Sequence, residues 1–147
     1  MKKLLSWMLV LTMSFSFMSC SKNDENGPSL LNFHEKIVPE NGYIEGIFYG
    51  SDRLTFGSGE MQWSCSGYYT AHVSFSDVGE IQQLNHIKNI PATGWRDSNI
   101  EIKIGHGYVV DYGDLSCYCR MFIKEYIDRG AVGAYRVQYQ YWNPFTE

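Results

Sequence analysis

The sequence is short of charge and of the motifs that mark catalysis. Charged residues make up 19% of it, a smaller share than soluble domains usually carry. It contains no Gly-x-Ser-x-Gly elbow and no His-Glu-x-x-His pair, so two common hydrolase signatures are missing. Gly57-Ser58-Gly59 has no Lys after it and is not a phosphate loop. Glu45, Glu60, Glu80, Glu101 and Glu125 stand singly, which nominates no carboxylate pair for acid–base work. A basic stripe is absent too. Without Lys2 and Lys3 there are 10 basic against 16 acidic side chains, a net charge of −6, which argues against nucleic acid as a partner. Ala and Leu are scarce beyond the N-terminus, no internal repeat is present, and the apolar stretch Leu4–Met18 falls short of the roughly 20 residues of a membrane-spanning helix.

What is present begins with an address. Met1-Lys2-Lys3 is a positive start, and Leu4–Met18 has the length of a signal-peptide core. It ends Phe17-Met18-Ser19-Cys20, a small residue before a lone Cys, which resembles the lipobox of bacterial lipoproteins. The resemblance implies cleavage after residue 19 and lipid on Cys20. Two or three acyl chains, at about 0.8 kcal/mol per buried CH₂, anchor a protein stably where one does not. Ser21 to Pro28 is polar and aperiodic, the composition of a flexible tether. Its acidic stretch also resembles the export signal of Bacteroides-type lipoproteins, which implies an outer-membrane protein, surface-exposed or periplasmic. The expected organisation is a signal peptide at 1–19, lipidated Cys and tether at 20–40, and one domain at 41–147.

The domain reads as all-β. Tyr, Val, Ile and Thr are common, and aromatic residues reach 16%. Tyr43–Tyr49, Arg53–Phe56, Tyr68–Phe75, Asn99–Ile104, Tyr108–Tyr112, Ser116–Ile127 and Ala131–Trp142 predict about seven strands separated by turns, hence a small antiparallel sandwich or partly open barrel. Leu30–Val38 is compatible with a strand or a short helix. Ile81, Leu84 and Ile87 have helical spacing in a segment too short to decide. Period two in Ser116–Ile127 puts Tyr118, Arg120, Phe122, Lys124 and Tyr126 on one face.

From Val78 onward, Ile90-Pro91-Ala92-Thr93-Gly94-Trp95, Gly105-His106-Gly107-Tyr108-Val109 and Val137-Gln138-Tyr139-Gln140 resemble a pattern of Bacteroides-type lipoproteins of unknown function. The resemblance covers about the last half of the expected mature chain and implies no activity.

Four Cys are present, and lipid on Cys20 leaves Cys65, Cys117 and Cys119. They are compatible with one disulfide from Cys65 to either of the others, or with three buried thiols. One Cys-x-Cys pair without a second knuckle is a poor structural zinc site, so no metal and no cofactor are expected. Aromatics are the strongest positive feature. Trp63, Trp95, Tyr118, Tyr126, Tyr139 and Trp142, if displayed together, would suit sugar rings or a protein partner; paired across strands they would instead stabilise the sheet. The sequence therefore points to a lipid-anchored, non-catalytic binding or accessory domain for a glycan or an envelope protein. An envelope hydrolase with an unrecognised site and a purely structural component are the alternatives.

Overall fold

A computed structural model describes residues 33–47, 52–65, 73–113 and 117–142, with the side chain of Cys65 excepted. Among these described residues ten strands run in order: β1 His34–Pro39, β2 Gly42–Glu45, β3 Asp52–Phe56, β4 Glu60–Cys65, β5 Ser74–Glu80, β6 Trp95–Asp97, β7 Asn99–Glu101, β8 His106–Asp111, β9 Tyr118–Ile127 and β10 Ala134–Trp142. They form two antiparallel sheets, ordered β1-β10-β9-β8-β5-β6 and β2-β3-β4-β7. The all-β sandwich expected from the sequence is therefore the fold, with ten strands in place of about seven.

Among the described residues the chain passes between the sheets three times, at two edge corners and at the turn Ile102–Gly105 from β7 to β8. At Glu40-Asn41 the chain leaves β1 for β2, with Asn41 at φ 62°, a left-handed conformation that Asn tolerates. At Ser98, φ 75°, it passes from β6 at the edge of one sheet to β7 at the edge of the other. The first corner corrects the expected boundary. Residues 34–39, assigned to the tether, are strand β1, paired from His34–Tyr139 to Pro39–Ala134. Of the expected Leu30–Val38 element, 30–32 lie outside the described residues.

Three further differences have local causes. Expected strand Tyr43–Tyr49 stops at Glu45 because Gly46 takes φ 66°. Most of Tyr68–Phe75 lies outside the described residues, and β5 starts at Ser74 and continues to Glu80 across a bulge between Asp77 and Gly79. In β9, a bulge opposite Arg136/Val137 leaves Lys124 as the extra residue. Beyond a bulge the side chains change faces. Tyr126 therefore pairs with Tyr135 on the inner side, and the single face expected for Tyr118, Phe122 and Tyr126 is broken.

The main core lies between the sheets. Ile44, Leu54, Phe56 and Met61 of the smaller sheet meet Phe75, Tyr108, Val110, Met121 and Val137 of the larger. Each such side chain contributes about 1.5–3 kcal/mol when fully buried. A second, smaller core covers the opposite face of the six-stranded sheet. Residues 81–94 form a strap with one 3-10 turn, Leu84–His86. The strap lays Leu84 and Ile87 on Val109, Phe122 and Trp142. The helical spacing of Ile81, Leu84 and Ile87 is thus a one-sided apolar surface without a helix. Gly107 lies beneath it, where a Cβ would come within 2.6 Å of Ile81 and 2.9 Å of Ile87.

Arg120 is wholly buried under the strap. It donates to Ile87 O at 2.9 Å and to Gln140 Oε1, and its guanidinium lies 5.5 Å from the centre of the Trp142 ring. Hydrogen bonds of a charged donor are stronger than neutral ones, so Arg120 fastens the strap from inside the sheet.

Candidate functional site

The aromatic residues singled out above are not displayed as one platform. Trp142 and Tyr139 are 3% and 7% exposed, the first in the second core and the second in the main core, where His34 stacks on it at 5.2 Å. Trp95 and Tyr118 pack half-buried against the second core, and Trp95 Nε1 donates to Pro91 O at 3.0 Å. Burial first, and the Asp111 charge second, push the Tyr118 hydroxyl above its ordinary range. Trp63 packs half-buried against the main core, edge-on to Tyr112 at 6.0 Å. Tyr126 alone is displayed, at 44% exposure. It lies over Gly133 and donates to Glu40 at 3.1 Å. The structure thus brings Trp95, Tyr118 and Trp142 together, but as packing.

Cys117 and Cys119 are thiols at the end of the main core. Burial pushes Cys119 up to about 12, so it is protonated at neutral pH and a poor nucleophile. Tyr141 donates to Cys117 Sγ at 3.0 Å. Cys20, His72 and the Cys65 side chain lie outside what is described. No three His, Cys, Asp or Glu side chains among the described residues come together as metal ligands.

One titratable cluster does form, and no local pattern announced it. Its members meet only through the pairing of β5 with β8, which sets Asp77 against Tyr108 and Glu80 against His106. Asp77 Oδ1 lies 2.9 Å from His106 Nδ1 and accepts from Gly79 N at 2.8 Å, while Oδ2 takes Lys103 Nζ at 3.2 Å. Burial acts to raise the Asp77 carboxyl. The hydrogen bonds from His106, Gly79 and Lys103 outweigh it and hold the group below its ordinary value. Beside it Tyr108 donates to Glu101 O at 3.0 Å and accepts from Lys103 N at 2.8 Å, tying the two sheets together. Burial pushes that hydroxyl up to about 12, so it keeps its proton.

Asp77 and His106 have the orientation of a carboxylate steering an imidazole. Their contact braces β5 against the start of β8. Next to it an open cleft of about 510 Å³ is lined by Glu80, Ile81, Gln82, His86, Ile104 and Gly105. Its two walls, strap and turn, are joined by Ile81 N donating to Gly105 O at 2.9 Å.

No helix among the described residues is long and apolar enough to cross a membrane. Comparison with protein-family models, with curated proteins and with solved structures finds no match to this chain.

Proposed function

We propose that this chain is a lipid-anchored protein of a bacterial envelope whose sandwich is a non-catalytic binding or accessory domain, with a protein as its partner in preference to a glycan. The observation that carries the reading is the join between anchor and fold. His34, the first residue of β1, stands 14 positions after Cys20, and the residues between them begin with the polar run Ser21–Pro28. That is the layout of a domain hung from a lipid by a short leash. The burial of Trp142 and Tyr139, and the packing of Trp63, Trp95 and Tyr118, take away the aromatic floor that sugar rings stack on, which favours a protein partner.

The anchor is tested in cells fed an alkyne-bearing palmitate. The wild-type chain is expected to take up label and to sediment with membranes. Cys20→Ala is expected to lose the label and to stay with the uncleaved signal. Equal labelling of both proteins would overturn the reading.

A further inference from the structure

The strand directions give the molecule two distinct poles. β1 starts at His34, level with Tyr139, and β5, β9 and β10 have Ser74, Tyr118 and Trp142 at this same end. The leash enters here. At the opposite pole lie the turns at Glu40-Asn41, Gly57–Gly59, Ile102–Gly105 and Asp128–Gly133. Thirteen residues separate Cys20 from His34, so the pole that carries His34 is the one tied to the lipid. The ten residues of β9 span about 33 Å. The turn pole is therefore the one held away from the bilayer.

That pole is braced across its turns. Glu40 N donates to Gly133 O at 2.9 Å, Tyr126 donates to Glu40, Ile102 N donates to Gly59 O at 2.7 Å, and Tyr108 donates to Glu101 O. A surface fixed before contact loses little freedom on binding. It also displays apolar side chains: Ile104 at 46%, Tyr126 at 44% and Val132 at 50% exposure. Of the other large apolar side chains exposed among the described residues, Ile37 lies on β1, Tyr43 lies near this same pole at the start of β2 with the Arg53 guanidinium over its ring, and Phe33 and Tyr141 lie toward the anchor. Exposed Glu60, Glu80, Glu101 and Asp128 surround the turns, against exposed Lys103 and Arg129, and Lys103 is already engaged by Asp77 and Glu101. Apolar tips within a polar rim whose acidic side chains outnumber its basic ones are the anatomy of a protein interface.

We infer that the pole opposite the anchor docks a protein partner that presents an apolar pocket ringed by Lys and Arg. The inference rests on the lipid-anchor reading, since the leash decides which pole faces outward.

The test places the photo-cross-linking residue benzoylphenylalanine in the full-length chain, in cells, at Ile104 or Val132 on the turn pole. Controls carry it at Ser64 or Arg96 on strands β4 and β6. Both turn positions are expected to join the same protein, through a peptide containing Lys or Arg, while the controls stay unlinked. Glu60→Lys with Glu101→Lys is expected to cut the yield about tenfold or more, as reversed charge across a rim weakens encounter. Val132→Asp, read from the Ile104 position, is a second variant on an exposed turn. Thermal melts establish that both variants fold. Adducts at all four positions alike, at the controls alone, at none, or through peptides lacking Lys and Arg would overturn the inference. Palmitate labelling of the same cells separates the two failures. A labelled chain that joins nothing fails the docking surface alone. A chain that takes no label fails the anchor reading, and the outward pole with it.

Discussion

At the scale of single residues, position in the fold overrides residue type. Arg120 shares its strand phase with Lys124 and by period two belongs to a polar outer face, yet it is buried because the strap covers that face. Nothing near Arg120 in the sequence records the strap, so its burial was not legible there. Asp77 is a similar case: nothing around it in the sequence singles it out, and in the fold it is the acceptor of three donors. Its sign with pH follows. The folded value lies below the ordinary 3.8, so the stabilisation is complete above that value and is lost as pH falls through the acid range below it. Asp77→Asn is expected to be less stable than wild type by about 1–2 kcal/mol at pH 7. The gap should close toward pH 2 in urea titrations. A gap that persists unchanged at low pH would mean the carboxylate charge is not what Asp77 contributes.

At the scale of elements, alternation was a sound guide wherever a strand stayed regular. β9 as far as Ile123 lies where period two put it, with Tyr118, Arg120 and Phe122 on the face opposite Cys119, Met121 and Ile123, whereas the alternation expected over Asn99–Ile104 carries a strand only to Glu101. Two kinds of feature escaped it. Strand β4 carries the signal, Met61 and Trp63 against Glu60, Gln62 and Ser64, but its polar residues and the adjoining Gly57-Ser58-Gly59 make it read as loop. The bulge at Lys124 shifts phase without any residue that marks it, and so decides that Tyr126 packs on Tyr135 at 5.3 Å. The β9–β10 hairpin depends on that shift. Gly133 leaves the space Tyr126 occupies, since a Cβ there would fall 1.7 Å from its hydroxyl oxygen. Gly133→Ala is expected to displace Tyr126 from Glu40 and to cost about 1–3 kcal/mol, the usual price of overpacking. Tyr126→Phe removes only the hydroxyl bond and should cost less. Equal losses in thermal unfolding would place the effect in the hydrogen bond instead of the ring.

At the scale of the whole molecule, the two cores divide the labour. The main core joins both sheets, whereas the second holds only the strap. Leu54→Ala is expected to destabilise the entire domain by about 2–5 kcal/mol. Leu84→Ala should chiefly release residues 81–94, seen as faster amide exchange there with the sheets still protected. Uniform acceleration in both variants would mean a single cooperative core. The corners at Asn41 and Ser98 have a different consequence. Lipoproteins diffuse in a plane, where copies of one chain collide far more often than in free solution. A sheet with a long bare margin would then recruit its neighbours into a growing ribbon. Here the margins are brief, three residues each in β6 and β7 and four in β2, while β1 carries Lys36 and ends at Pro39, which has no N–H to offer. By folding its outermost strands around two corners, the protein denies its copies a template to polymerise, as a chain crowded on a membrane by the proposed anchor would need.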